Sequence, residues 1–452
     1  MRNNFRKFFP LFILVILLWL PRSASFSQSY DAAETFYIGA GSQIAEHGWK
    51  ADITDYSNWV VNPIFTSVIL GIGYRIFGEN PLVSRLTIFL LPSAICFFLY
   101  LYLYQKNSTF LAFNTVLFII VNPVFIVYSR YVGSDPLFFA LISTSLVLLL
   151  YKSDLNKQII SSVLLGLSLA TKYLTVFLFP VPLIYSLLIA GISRKLFIAP
   201  LFYAVRFSLR YFGMVIVVSA PFLLFSFIKF RGFVSHDTEL LLVPSISLFV
   251  PRFFAYLMWI GIFIGPSFLF IIIDTWRKIG KIQFIVMIIS LVILTTIVHL
   301  SFSISSLHTY GGSVGEMNLL GLEIYFKEIK TYLHIGLFFV LLIAEIFVVS
   351  ITLDMVHLRD QKMVGLFCWI VGTILLMSFL MDAQRYLLAV LTPLSIYMAM
   401  ITERIYSSGM KSFIRWLLVI HTTIFLFIGS FLLGLASWTY SILKGFNWLG
   451  LH

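Results

Sequence analysis

Pro63–Gly78, PIFTSVILGIGYRIFG, is the stretch whose reading decides the topology of this chain. About fourteen of its residues are apolar and Arg75 interrupts them, whereas a helix that crosses a bilayer needs about 20. It is therefore read as a juxtamembrane helix, lying at the interface or dipping into it. Had it crossed, every later connection would change sides.

The surroundings demand a membrane. The chain has 452 residues, 60% of them hydrophobic and 11% charged, with a mean hydropathy of +0.98; soluble domains carry about 25% charged residues. Backbone groups in hydrocarbon must be paired within a helix or a closed barrel, and the long apolar runs show no period-2 alternation. The expected fold is an all-α polytopic membrane protein, one integral-membrane domain over residues 1–452. Thirteen spans are expected, near 8–26, 83–104, 109–128, 136–151, 158–171, 173–191, 212–229, 252–273, 282–301, 332–352, 363–381, 387–403 and 414–440. The first is read as a retained signal anchor, and nothing after Tyr440 is long enough for a soluble domain.

With the N-terminus cytoplasmic, the inner connections gather 18 of the 31 basic residues and five acids, among them Asp274, Asp354 and Glu403. The outer side receives 13 basic and 13 acidic residues, and Glu345 is left inside a helix, facing the bundle or a partner group. This is the positive-inside pattern. The net charge of +12 is spread as short clusters between apolar runs, which excludes nucleic acid as the partner and leaves the membrane. Arg194–Arg210 reads as an amphipathic helix on the inner surface. Cys96 and Cys368 both lie in apolar runs and offer neither a disulfide framework nor a CxxC metal site.

The same parity places Asp31, Asp135, Lys172, the 302–330 loop and Arg385 on one outer face. Five of the 19 acids fall between Tyr30 and Asn62: Asp31, Glu34, Glu46, Asp52 and Asp55. Asp31 and Glu34 fit the capping pattern of a following helix, and Asp135, just before Pro136, fits a helix start equally well. Lys172 is an ammonium between two apolar segments, costing about 2.5–3.5 kcal/mol at a bilayer centre unless it faces a polar cavity or snorkels to the surface. Arg385 has an ion-pair partner available in Asp382. His47, Asp52 and Asp55 match no closed metal-ligand spacing.

The order of these features resembles a known family. YDAAETFYIGA follows the first helix, then NPIFTSVILGIGYRIFGENPLVSRL, VYSRYVGSDPLFFAL, GLSLATKY and, late in the chain, QRYLLAVLTP. The succession is similar to that of the GT-C membrane glycosyltransferases, in the branch of the protein mannosyltransferases and the aminoarabinose transferases that modify lipid A. It covers residues 8–190 well, 382–400 moderately and 200–350 only in hydropathy. One departure is Asn62, where the aminoarabinose branch commonly carries Lys.

The resemblance implies transfer of a hexosyl or pentosyl sugar from a polyprenyl-phosphate donor to a lipid, glycan or protein acceptor on the non-cytoplasmic face of the inner membrane, usually with inversion. An acceptor hydroxyl then needs a carboxylate base and the departing phosphate needs cationic donors. The implied catalytic residues are Asp31, as the base, and Asp135. Lys172, Arg385 and Arg130 are the implied donor-phosphate contacts, with Glu34, Tyr386, His308 and Tyr310 as substrate contacts. No cofactor is expected; a divalent cation is the less favoured reading. The competing classes are a transporter or flippase of lipid-linked sugars, which predicts repeats and broken helices with polar groups at mid-membrane, and a noncatalytic membrane subunit.

Overall fold

The computed structural model describes residues 2–23, 32–53, 63–151, 154–192, 198–230, 246–301, 330–358, 361–378 and 387–427. All regular structure among them is helical. In order, the helices are α1 (Arg2–Ser23), α2 (Ala32–His47), α3 (Phe65–Phe77), α4 (Pro81–Lys106), α5 (Thr109–Ile120), α6 (Pro123–Tyr128), α7 (Ser134–Leu150), α8 (Leu155–Leu169) and α9 (Pro180–Ile192). They continue with α10 (Ile198–Phe230), α11 (Ile246–Ile264), α12 (Phe268–Ile279), α13 (Lys281–Ser301), α14 (Lys330–Leu358), α15 (Gln361–Phe367), α16 (Thr373–Ser378), α17 (Leu388–Ser407) and α18 (411–427). This is an integral, multi-pass, all-helical protein.

The interior is built on α7 and α17. Every side chain of α7 is buried, as expected of a helix apolar all round, and the central span α17 packs on α5 and α7. Length and apolar composition qualify four helical stretches to cross a membrane among the described residues: Pro81–Lys106, Phe202–Lys229, Phe338–Val356 and Leu388–Ser407. A bent pair, Arg252–Ile264 with Phe268–Ile279, makes a fifth, and the other apolar helices are shorter. Over its described residues each of the thirteen expected segments falls largely on helix, with 24–26, 379–381 and 428–440 outside the description, but by length the count of thirteen spans is not reproduced.

Three expectations are corrected. The segment 109–128 is two helices, because Pro123 cannot continue α5; Asn122 ends the run and caps α6, its Oδ1 accepting from Val124 N at 3.0 Å. The segment 252–273 breaks at Gly265–Ser267, where a 3-10 turn containing Pro266 swings the axis by 101°. No separate amphipathic helix precedes residue 212: Arg206 and Arg210 belong to the 33-residue α10, which is continuous with the span. Arg194 and Lys195 lie outside the described residues.

Pro63–Gly78 behaves as its length requires. At 13 residues, α3 is about 20 Å long, short of a hydrocarbon core about 30 Å thick. It packs along α2, and glycines set the spacing. A Cβ on Gly41 would come within 2.9 Å of Leu70, and one on Gly71 within 3.0 Å of the Gly41 carbonyl. A Cβ on Gly73 would meet Thr87 Oγ1 of α4 at 2.5 Å. The hairpin of α2 and α3 is thus pressed against the start of α4.

At the other end of α4 the charged residues form one network. Asp274 of α12 bonds Arg404 Nε at 3.1 Å and its NH2 at 2.8 Å, and lies 2.5 Å from Lys278. Asp354 of α14 takes Arg404 NH2, Lys278 Nζ and the Tyr397 hydroxyl, at 2.8, 2.8 and 2.7 Å. Ser350 lies 3.0 Å from that hydroxyl, and beside the network Ser108 donates to Glu403. Asp274, Lys278, Asp354 and Arg404 were all expected on the cytoplasmic side. They do converge.

A candidate active site at the start of α2, α4 and α7

Asn80 opens α4 by accepting from Val83 N at 2.9 Å, with Pro81 in the first turn. This cap fixes Arg85 one turn in, facing the interior and only 3% exposed. A buried guanidinium must have its charge and N–H groups compensated, and here Glu34 from the first turn of α2 does so: NH1 donates to Oε1 at 2.9 Å and NH2 to Oε2 at 3.0 Å. The fork geometry holds α2 in register with α4. Glu34 Oε1 also accepts from Val132 N at 2.8 Å, and Arg85 NH1 donates to the Arg130 carbonyl at 3.1 Å. The loop before α7 is therefore bolted to both helices.

That loop delivers Asp135. The N-cap of α7 is Gly133, with no side-chain cap, so Asp135 is not the capping group its position invites. Its carboxylate binds Lys172 Nζ instead, and the two side chains are 8% and 5% exposed. Lys172 stands in extended conformation between α8 and a 3-10 turn over Tyr173–Leu178, its ammonium 5.7 Å from the centre of the Phe138 ring. It neither snorkels nor stands alone. Tyr37 of α2 donates to Ser134 at 3.3 Å.

Arg22, fully buried at the end of α1, supports the loop from behind. Nε donates to Ser129 Oγ at 2.6 Å, NH2 reaches the Ile120 carbonyl left open at the end of α5 (3.2 Å), and the guanidinium sits 5.0 Å from the Phe125 ring centre. Sequence reading passed over both Arg22 and Arg85. The signal was available: an arginine within the first or last turns of an apolar helix must find a partner.

Of the expected site residues, Glu34, Arg130, Asp135 and Lys172 are brought together. Glu34 has both oxygens engaged, and Arg130 is partly exposed with its carbonyl in the Arg85 network. Asp31, His308, Tyr310, Arg385 and Tyr386 lie outside the described residues. Glu345 is buried within the bundle, as one of its two readings had it, and accepts from Thr295 at 2.6 Å. His47 is exposed beside Glu46 at 3.7 Å, Asp55 lies outside the described residues, and no group of three or more His, Cys, Asp or Glu among those described is placed to hold a metal ion. Chemically, the site offers two carboxylates and two cations in mutual pairs. A phosphate reaching Lys172 must compete with Asp135 for it.

Comparison with known proteins agrees with this architecture. Residues 61–225, which include Arg85, Arg130, Asp135 and Lys172, match a family model described as dolichyl-phosphate-mannose-protein mannosyltransferase. Among solved structures, ArnT from Cupriavidus metallidurans bound to undecaprenyl phosphate superposes with a TM-score of 0.51 at 13% identity, over 88% of this chain and 60% of that one. The chain therefore spans about 60% of the length of that relative. No curated protein matches the chain significantly. The fold is that of the GT-C membrane glycosyltransferases.

Proposed function

We propose that the protein is a glycosyltransferase that passes a sugar from a polyprenyl-phosphate donor to an acceptor hydroxyl on the non-cytoplasmic face of the membrane. The observation that carries the reading is the convergence of Glu34, Arg85, the loop leading into Asp135, and Lys172 at one end of the bundle, all but Glu34 within the stretch that matches the mannosyltransferase model. Asp31 is the proposed base. It directly precedes α2, and three peptide links keep it within about 11 Å of Glu34 by covalent geometry alone. It takes the acceptor proton as the hydroxyl attacks the anomeric carbon, and displacement from the opposite face inverts that centre. Lys172 and Arg385 hold the charge that develops on the departing phosphate, Lys172 by exchanging Asp135 for it. Arg130 lies on the same loop as a further phosphate contact. ArnT was solved with undecaprenyl phosphate, which supports a lipid-linked donor here.

The test is mass spectrometry of polyprenyl-linked sugars in cells lacking the protein, restored with the natural chain or with Asp31→Asn. The expected result is a polyprenyl-phosphate sugar that accumulates without the protein, is cleared by the natural chain, and is cleared about 10²–10⁴-fold more slowly by the variant. Equal clearance by both overturns the assignment of Asp31.

One observation favours a second reading, a transporter of lipid-linked sugars. Helix breaks at Asn122–Pro123 and Gly265–Ser267 meet at buried His421, whose Nδ1 lies 2.6 Å from Ser267 Oγ. Broken helices around buried polar groups are a transporter trait. That reading expects the lipid-linked sugar to remain chemically intact when the purified protein is incubated with donor and acceptor.

A further inference from the structure

A cavity of about 330 Å³ opens between the hairpin of α2 and α3 and the end of α10, lined by Ile44, Trp49, Val68, Ile72, Arg75 and Phe225, with Gly48 and Gly71 at its floor. None of the candidate active-site residues borders it. Its walls are apolar, and they continue into lipid-like surface: Ile72, Ile76 and Phe77 on α3 and Leu224, Phe227 and Ile228 on α10 are all exposed. Trp49 packs edge-on against Phe225 at 5.1 Å and remains 59% exposed, an amphipathic ring of the kind enriched at membrane–water interfaces.

The rim is cationic. Arg75 is exposed and makes no hydrogen bond or ion pair with any described residue. Lys229 stands over the Phe225 ring at 5.8 Å. The nearby acids are engaged elsewhere: Glu79 accepts from Ser42 at 2.5 Å and Glu46 lies 3.7 Å from His47. An apolar slot with unneutralised guanidinium at its mouth matches a molecule with a hydrocarbon chain and an anionic phosphate. A soluble anion has no use for the walls, and a neutral lipid none for the rim.

We infer that this cavity is a binding site for an anionic glycerophospholipid of the surrounding bilayer, one acyl chain entering between Trp49, Val68 and Ile72 and the phosphate meeting Arg75. The size supports a bilayer lipid, since the slot accommodates part of one chain. The inference stands apart from the transferase reading, because it concerns residues that reading does not use.

The experiment is lipid analysis of the full chain purified in mild detergent, followed by titration with phosphatidylglycerol, phosphatidylcholine, diacylglycerol and polyprenyl phosphate, read by native mass spectrometry. Bound phosphatidylglycerol is expected at one per chain, held about tenfold or more tightly than diacylglycerol, as a charged hydrogen bond predicts. Arg75→Gln should lose that preference and Arg75→Lys should keep most of it. Val68→Trp, which fills the slot, should lose the lipid while far-ultraviolet circular dichroism stays unchanged. Equal binding of diacylglycerol, or an unaltered preference in Arg75→Gln, overturns the inference. Displacement of the co-purified lipid by polyprenyl phosphate alone also overturns it, by assigning the slot to the donor. Loss of sugar transfer in Asp31→Asn with lipid retention intact bears on the transferase reading only.

Discussion

Two acids and two bases pair at each end of the bundle, yet the two groups are built differently. Around Arg404 Asp274 and Asp354 each touch both cations, Tyr397 and Ser350 complete the set, and all members sit within helices. Around Arg85 there are two pairs, Glu34 with Arg85 and Asp135 with Lys172, linked through the loop before α7 by its backbone bonds to Glu34 and Arg85 and by the Tyr37 bond to Ser134. Their carriers are a first turn, a loop and a helix junction. The Arg404 group is cross-linked, each of Asp274 and Asp354 being held by two cations. The Arg85 group can open one pair without breaking the other, which is what a site that admits a charged substrate requires.

Substitutions sharpen the contrast. The largest effect is expected at Arg85→Ala, which takes the guanidinium away from buried Glu34 at a cost of about 3–5 kcal/mol. It should lower the melting temperature in detergent and also lower sugar transfer per folded molecule, because α2 and the Asp135 loop lose their common anchor. The double variant Glu34→Leu with Arg85→Met should recover much of the stability but not the transfer. Arg404→Ala should destabilise by about 2–3 kcal/mol, less because the side chain is a third exposed, and Lys278 still serves both carboxylates. Transfer per folded molecule should be unchanged. If Arg404→Ala lost transfer as Arg85→Ala does, the division between clamp and site would be wrong.

The smallest effect is one of pH. Asp154, the cap of α8 at the end of the bundle away from Arg85, accepts from Lys157 N at 2.9 Å, and this bond with the Lys157 ammonium holds its carboxyl below the usual carboxylate range. A depressed acid contributes stability above its unfolded value and loses it as pH falls through the folded one. Amide exchange in the first turn of α8 should therefore quicken only below about pH 4, the ordinary carboxylate range, and Asp154→Asn should flatten that dependence.

What the sequence made legible depended on whether the cause was local. The shortness of Pro63–Gly78 and the charge parity of the loops are read from the chain directly; the first matches the 13-residue α3, and the second put Asp135 with Lys172 and Asp274, Lys278, Asp354 and Arg404 together, the two groups that the ion pairs form. Partners are not local. Asp135 and Lys172 were each singled out, but nothing in a pattern says that residues 37 apart bind each other rather than a ligand. Arg85 resembled any charge flanking a helix until Glu34 was seen opposite it. The breaks at Pro123 and Pro266 were readable as residues that end helices, but a hydropathy window averages across a proline that stays apolar.

The glycine contacts between α2 and α3 have a mechanical consequence. With Gly41 against Leu70 and Gly71 against Ile44, the two helices have no room to slide, so the hairpin turns as one stiff lever. One arm ends at Trp49, beside the lipid slot. The other ends at the first turn of α2, where the chain coming from Asp31 joins it. Because Glu34 in that first turn is bonded to Arg85 and to Val132 N, a push on the Trp49 arm is passed on to α4 and to the loop that leads into Asp135 rather than absorbed within the hairpin.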